Sequence, residues 1–313
     1  MRILAQTGTE DLAMVYIAEA ENGELVEFAE SLQPPYPRDK KWVLTVSTLF
    51  GCPISCRFCD AGGGYRGPMS ADEIFHQIEY PVRKHFPEGR VDVEKFKVQF
   101  ARMGEPSLNS NLLDLLETLP ERLDAPGMMI SLSTIAPAGT EGFFERLLDI
   151  KERRYIGKFQ LQFSIHTTDP ETRKWLIPAK TWNMAKIAEY GKRFHRPEDR
   201  KITLNFAIAE NIPVEPEKLL EHFSPDNFLI KITPMNPTER ALEHCLRSGV
   251  EAEKDCEIFD AFVNAGYETI LSIGEQRENL IGSNCGQYIN RFKSKAGMVP
   301  GAYESVFETV LEA

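Results

Sequence analysis

Strand-like and helical segments alternate along this chain from Trp42 onward, and this alternation constrains the fold more than any other feature. The strand-like runs are short, apolar and rich in β-branched and aromatic residues, and they lie at 43–49, 95–101, 128–134, 159–165, 202–208, 228–234 and 267–273. The segments between them carry apolar residues three and four positions apart, which is typical of amphipathic helices. Because strands and helices that alternate in series form a parallel sheet, the sequence predicts an α/β fold with a curved parallel sheet.

The N-terminal residues follow a different pattern. Alternating apolar residues flank Asn22-Gly23, which favours a β-hairpin. The proline-rich stretch QPPYPRDKK then predicts a linker. We therefore expect a hairpin extension and linker at 1–40, a core at 41–295 and a C-terminal tail at 296–313. Within the core, Glu73 lies three residues after Ser70, which predicts a capping box at the start of a helix.

Composition excludes several classes of protein. The chain has 313 residues, of which 42% are hydrophobic and 27% charged, and this is ordinary for a soluble globular protein. Apolar runs stay well short of the roughly 20 residues that a membrane-spanning helix needs. The N-terminal sequence lacks the long apolar region of a signal peptide, so we expect a cytoplasmic protein without membrane contact. The net charge of −11 is opposite in sign to the basic surface expected of a nucleic-acid-binding protein.

Three of the six cysteines crowd into one short segment, GCPISCRFCDAGGGYRG, which follows the first strand of the series. A disulfide framework would distribute its cysteines differently in a chain of this size. Thiolates at Cys52, Cys56 and Cys59 suit three irons of a 4Fe–4S cluster and leave the fourth iron open for a cofactor. The alternatives are a zinc site with a remote fourth ligand, or three core cysteines. Zinc ligands usually come as two short pairs, and the sequence contains no second pair.

The cysteine spacing, with Phe58 just before the third cysteine, resembles that of the radical S-adenosylmethionine (SAM) superfamily. The strand-end segments RMGEPSLN, LSTIAP, FSIH and ITPMNP are similar, in this order, to those of the RlmN/Cfr family of radical SAM RNA adenine methylases. The resemblance implies a partial (β/α)6 barrel with a 4Fe–4S cluster on the three cysteines and SAM on the open iron. The residues implied for the SAM site are Gly104, Glu105, Ser133, Ser164, Ile165, His166 and Asn236.

Cys285, in the segment GSNCGQY, matches the methyl-carrying cysteine of this family. The resemblance implies that one SAM methylates Cys285. A second SAM then supplies a 5′-deoxyadenosyl radical, which activates the S-methyl group for addition to an adenine carbon. Glu27 falls where the family places a proton-accepting carboxylate, and an exposed strand residue is the alternative. Without the resemblance, Cys285 would be interpreted as a small buried thiol.

The sequence departs from the family in two respects. The family has a second cysteine that breaks the protein–substrate link, seven residues before the first cluster cysteine, and here that position is Thr45. Cys245 and Cys256 lie at helical spacing from apolar residues, so we expect them to pack in the core rather than replace the missing thiol. The family also has an N-terminal helical domain that helps to hold RNA, whereas here the hairpin begins almost at once.

Basic residues are poorly placed for RNA, whose phosphates supply much of its affinity for proteins. The tracts at 151–158 and 192–201 precede strands, so we expect them on the side opposite the site. We call the end of the sheet where the parallel strands end, and where the site is expected, the mouth. The basic residues expected at the mouth are interspersed with acids, and they are Arg66, Arg102, Arg173, Lys174, Lys180 and Arg240.

Three functions remain open at this level. The first is an RNA methylase, and the second is a radical SAM enzyme of the same fold that acts on a small molecule, nucleotide or peptide. The third is an iron–sulfur protein for sensing or electron transfer, against which the SAM-site residues argue. Radical SAM chemistry also implies an electron donor such as flavodoxin or ferredoxin.

Overall fold

An 11-stranded mixed sheet organises the fold in the computed structural model, which describes residues 1–250, 257–284, 288–289, 292 and 307–310. Its strands are β1 (Arg2–Thr9), β2 (Ala13–Glu19), β3 (Leu25–Ser31), β4 (Lys41–Val46), β7 (Lys95–Phe100), β8 (Met128–Thr134), β9 (Phe159–Ser164), β10 (Ile202–Ile208), β11 (Phe228–Pro234), β12 (Thr269–Leu271) and β13 (Glu308–Thr309). A separate two-stranded sheet pairs β5 (Leu49–Cys52) with β6 (Gly63–Pro68) and holds the cysteine segment between them.

The strands β4 and β7 to β12 lie side by side in chain order, and all run parallel. The predicted α/β fold with a parallel sheet is therefore confirmed. Within the described residues the sheet does not close into a complete barrel. The first predicted strand is in fact two, because β4 ends at Val46 and β5 turns away to pair with β6.

Helices follow the strands and cover one face of the sheet. They are α1 (Ala71–His85), α2 (Asn111–Arg122), α3 (Glu141–Arg154), α4 (Pro170–Leu176), α5 (Met184–Phe194), α6 (Pro216–Leu220), α7 (Glu239–Glu243), α8 (Glu257–Asn264) and α9 (Gln276–Ile281). The predicted capping box begins α1: the Glu73 N–H donates to Ser70 Oγ at 3.2 Å, and the Ser70 N–H donates to the Glu73 carboxylate at 2.7 Å. No helix of the described chain is both long and apolar enough to cross a membrane.

The two faces of the parallel strands differ in polarity. In β4, for example, Trp42 and Leu44 are fully buried against the helices, whereas Lys41 and Thr45 are half-buried on the opposite face. We call this opposite face the inner face. Since side chains alternate along a strand, a polar inner face and an apolar outer face follow directly from the sequence of each strand.

The N-terminal extension contains the predicted hairpin and more. β2 and β3 pair around Asn22-Gly23, and β1 adds a further antiparallel strand that pairs with β13 near the C-terminus. On this extension Val15, Ile17 and Ala29 form a small apolar cluster with Ile281 and Tyr288. The segment that contains Cys285 is thus held against the sheet at both of its ends.

Candidate active site

The three clustered cysteines lie at the end of β5 and in the loop that leads to β6. All three are half-buried. Burial raises the pKa of Cys52 and raises the pKa of Cys56 to about 12. The thiols of Cys52 and Cys56 are therefore protonated at neutral pH, and metal binding would release their protons.

The spacing of the sulfur atoms distinguishes a cluster from a single ion. In this described segment the sulfurs of Cys52, Cys56 and Cys59 do not all lie within 4.8 Å of one another. A tetrahedral zinc with Zn–S bonds of about 2.3 Å would bring its sulfur ligands to about 3.8 Å from each other. A 4Fe–4S cluster binds each thiolate to a different iron and accepts wider spacing. The three cysteines therefore fit a cluster better than zinc.

The cysteine loop is fastened to the loop that follows β11. The Asp60 carboxylate accepts the backbone N–H groups of Glu239 and Arg240, at 3.1 and 3.0 Å. Thr238 Oγ1 donates to the backbone carbonyl of Phe58 at 2.9 Å. Asn236, a predicted SAM residue, precedes Thr238 and accepts its N–H at 2.8 Å. These contacts, which the sequence did not reveal, bring Asn236 to the same end of the sheet as the cysteines.

Glu105 joins the ends of β7 and β8. Its carboxylate is buried and accepts hydrogen bonds from the Ser107 N–H at 3.1 Å, the Ile135 N–H at 3.0 Å and the Thr134 hydroxyl. Burial raises the pKa of Glu105, and the hydrogen bonds oppose that rise. A buried carboxylate at this position can compensate a ligand ammonium. Next to it, Ser133 accepts a hydrogen bond from the Gln162 side chain at 3.1 Å.

Gly104 has a conformation and surroundings that exclude a side chain. Its φ is +97°, and an added Cβ would lie 2.6 Å from Cβ and Cγ of Leu49. We expect Gly104→Ala to lower the free energy of unfolding by about 1–3 kcal/mol in urea titrations. The matched control is Gly142→Ala in α3, where an added Cβ meets nothing within 4 Å. The control should be neutral or stabilising by up to about 1 kcal/mol, and equal losses in both variants would contradict the packing argument.

His166 connects the end of β9 with the cysteine loop. Its φ is +67°, and its backbone N–H donates to the Asn205 carbonyl at 3.2 Å. Nδ1 accepts the Ala207 N–H at 3.0 Å, so the neutral ring carries its hydrogen on Nε2. Burial lowers the pKa of His166 to about 3, and the ring centroid lies 4.8 Å from that of Phe58. Ser164 and Ile165 precede it at the end of the same strand.

Glu27 and Arg102 form a buried ion pair that holds both ends of the Cys285 segment. Arg102 Nη2 lies 2.7 Å from Glu27 Oε1, and the side chains are 2% and 0% exposed. Arg102 donates to the carbonyls of Gly282 and Ser283, each at 2.9 Å. Glu27 accepts the backbone N–H groups of Tyr288 and Ile289. Cys285 itself lies outside the described residues, between these two anchored ends.

The interpretation of Glu27 as an exposed strand residue is therefore wrong, because its side chain is fully buried. Burial raises the pKa of Glu27, and Arg102 opposes that rise. The role of Glu27 as a proton acceptor stays a prediction. Arg102, which we expected at the mouth as a possible RNA contact, instead serves this internal anchor.

Two expectations about cysteines have different outcomes. Cys245 is exposed, so the prediction that it packs in the core is wrong. The helical spacing does not apply to it, because α7 ends at Glu243 and Cys245 has a φ of +56°. Cys256 lies outside the described residues.

Thr45 is half-buried on the inner face, opposite Ala29 of β3.

The basic tracts lie where predicted, before β9 and β10, and acidic neighbours neutralise much of them. Arg153 and Arg154 pair with Glu117 on α2, and Arg193 pairs with Glu145 on α3. At the mouth, Arg173 is buried and donates to backbone carbonyls. The outer surface therefore offers RNA phosphates less free positive charge than the sequence indicates.

Comparison with known proteins assigns the class. Residues 46–214 match the model of the Radical SAM superfamily, and this span is more than half of the chain. The chain belongs to this superfamily. Its members use a 4Fe–4S cluster and SAM, and Cys52, Cys56 and Cys59 fit the cluster motif. The chain is therefore a radical SAM enzyme, as the sequence predicted.

The individual proteins that resemble the chain have names narrower than that of the superfamily. The dual-specificity RNA methyltransferases RlmN of Marinobacter nauticus and Wolinella succinogenes are each 27% identical to the chain, over 90% and 91% of it and over 73% and 83% of their own lengths. The chain spans only 62%, 56% and 53% of three other RlmN relatives. The crystal structure of a radical SAM methyltransferase from Sphaerobacter thermophilus shares the fold, with a TM-score of 0.67 and 18% identity over 92% of this chain and 81% of that one.

Proposed function

We propose that this protein is a radical SAM methyltransferase that transfers the methyl group through Cys285. The observation that carries the proposal is the buried Glu27–Arg102 pair, which fixes residues on both sides of Cys285. Burying two charges costs several kcal/mol per ion unless their geometry compensates it. The desolvation cost of a buried ion pair beside one loop is explained if that loop must hold a thiol in a defined position. The similarity to RlmN methyltransferases supports the same assignment.

Residues around the mouth are placed to bind SAM. When bound and reduced, the cluster and SAM supply a 5′-deoxyadenosyl radical. Glu105 is placed to accept the SAM ammonium, and the neutral His166 donates through Nε2 rather than adding a positive charge. Asn236, held beside the cysteine loop, offers an amide for polar groups of SAM.

We infer that the reaction ends differently from the way that the family resemblance implies. Thr45 carries a hydroxyl, which cannot replace a thiol in breaking a covalent link between Cys285 and substrate. Cys245 is exposed and lies beyond α7 rather than on the inner face. We infer that another group completes release, or that the acceptor atom lets the link break without a second thiol.

We also infer that the substrate is a small molecule rather than RNA, since acidic residues neutralise much of the outer basic surface. RNA methylation, the activity printed for the relatives, is the alternative. Cys52, Cys56 and Cys245 form no disulfide, which suits a reducing compartment, and we propose the cytoplasm. A radical SAM enzyme needs a reductant, and we propose flavodoxin or ferredoxin as its source.

The test is an anaerobic assay of the reconstituted protein with SAM and dithionite. We expect 5′-deoxyadenosine and, by mass mapping, one methyl group on the peptide that contains Cys285. Cys285→Ala should lack the methyl group, whereas the exposed Cys245→Ala should retain it. Absence of 5′-deoxyadenosine under every reducing condition would exclude radical chemistry. Its formation without methyl on Cys285 would exclude the carrier role alone.

A further inference from the structure

Four basic side chains gather on the inner face of the sheet, where the reaction proposed above gives them no role. Lys41 begins β4, Lys95 and Lys97 belong to β7, and Lys231 belongs to β11. We call these residues the inner basic cluster. The positions of Lys95 and Lys97 follow from strand alternation, because Phe96 and Val98 between and after them are fully buried on the helix side.

The cluster is compact even though its members come from distant strands. In the sheet β7 and β11 are four positions apart, which would separate them by about 19 Å if the sheet were flat. Yet Lys231 is the charge that most strongly lowers the pKa of Lys97, after burial itself, and the pKa of Lys97 falls to about 7. Lys41 likewise lowers the pKa of Lys231. Lys41 lies opposite Lys95 in the pairing of β4 with β7, and Lys97 lies on the same face two residues further along. The register therefore brings these three lysines together, and Lys231 lies near enough to Lys97 to repel its charge.

No carboxylate compensates these charges within the described part of the chain. Lys95, Lys97 and Lys231 form no ion pair there, and the Lys41 ammonium donates to the side-chain amide oxygen of Gln33. By contrast Lys151, which is fully buried, is paired with Asp199 and donates to the Phe194 carbonyl at 2.9 Å. Where this fold buries a lysine for structure alone, it supplies a partner. A cluster without one is unfavourable until an anion binds.

A polar group next to the cluster also lacks a partner. Asn205 lies opposite Lys231 in the pairing of β10 with β11. Its side chain is buried, with only 8% of the residue exposed, and Oδ1 has no hydrogen-bond partner among the described residues. Buried acceptors are nearly always satisfied in proteins, so this oxygen indicates a ligand hydroxyl. Together, the cations and the acceptor suit a molecule that carries both a phosphate and a hydroxyl group.

We propose that the inner basic cluster binds the phosphate of a phosphorylated small-molecule substrate. This inference rests on the proposed function, because it names the substrate class for the same site. Lys97 lies three residues before Phe100 at the end of β7, a distance of about 10 Å along the strand, and Glu105 follows shortly after. A molecule of nucleotide size can therefore place its phosphate on the cluster and its acceptor carbon beside SAM.

The test measures binding of inorganic diphosphate to the reconstituted holoenzyme by calorimetry, with acetate as the comparison anion. We expect diphosphate to bind and acetate not to bind. The double variant Lys97→Gln/Lys231→Gln should weaken diphosphate binding by at least about tenfold, since charge-assisted contacts are lost. The control is Lys186→Gln, an exposed residue paired with Glu141 on the outer surface, which should bind as wild type does.

The urea midpoint of unfolding shows whether Lys97 serves anion binding or the stability of the fold. Because the lysines repel one another, Lys97→Gln should raise the urea midpoint without diphosphate, and added diphosphate should stabilise wild type more than the variant. A lower midpoint for Lys97→Gln would show that the lysine serves the fold, and would overturn the proposal. So would failure of diphosphate to bind, or tight binding of a single-stranded RNA oligomer that diphosphate does not displace. Failure of the proposed function is separate, because it appears as absence of 5′-deoxyadenosine from wild type.

Discussion

Replacing Cys56 with alanine is expected to reduce formation of 5′-deoxyadenosine to background and to lower the iron bound by the reconstituted protein. Cys56 is the middle member of the triplet, and in a bound cluster each of the three thiolates would hold a different iron. Without it the loop offers two ligands, which leave a second iron without protein support. Cluster assembly and SAM cleavage should therefore fail together.

Iron and sulfide content, the visible absorption of the cluster and the yield of 5′-deoxyadenosine check this expectation. Cys245→Ala is the matched control, because Cys245 is a free and exposed thiol that lies beyond the cysteine loop. It should assemble the cluster and cleave SAM as wild type does. If Cys56→Ala retained a complete cluster and full SAM cleavage, the cysteine loop would not be the site of the chemistry.

The second large effect concerns the anchor of the Cys285 segment. Arg102→Met leaves Glu27 fully buried without its partner, and such a loss costs about 3–5 kcal/mol of unfolding free energy. The same substitution removes the hydrogen bonds to the carbonyls of Gly282 and Ser283. Urea unfolding should show the loss, and hydrogen exchange should show faster opening around residues 282–289.

A second variant separates the charge from the shape of the side chain. Glu27→Gln/Arg102→Met removes both charges and should recover much of the stability that Arg102→Met alone loses. Arg83→Met provides the surface comparison, because Arg83 forms an exposed pair with Glu79 that should be worth about 0–1 kcal/mol. Equal losses for Arg83→Met and Arg102→Met would contradict the assignment of Arg102 as a buried anchor.

Much of the parallel sheet could be predicted from the sequence, because its strands are apolar runs whose limits are local. The bounds of β8, β10 and β11 agree with those predicted. β1 was not predicted, since its sequence, RILAQTGT, alternates weakly and its outer partner is β13, some 300 residues away. A strand that depends on so distant a partner leaves little signal in its own residues.

The same distinction applies to the site. The cysteine triplet and the strand-end residues were found because each motif is contiguous in sequence. The contacts of Asp60 with Arg240 and of Arg102 with Ser283 span about 180 residues, so no local pattern reveals them. The inner basic cluster did leave a signal. In KFKVQF, lysines alternate with residues of a buried strand, whereas strands of a parallel sheet are usually apolar on both faces.

The hydrogen bonds of Asp60 and Thr238 at the cysteine loop determine how easily this side of the site can open. The loop between β5 and β6 is joined to the segment that follows β11, although backbone pairing leaves the described sheet open. This connection consists of side-chain hydrogen bonds, which break and exchange with water more readily than the paired backbone of neighbouring strands separates. This connection can therefore open locally while the strands that precede Glu105 and His166 stay in register.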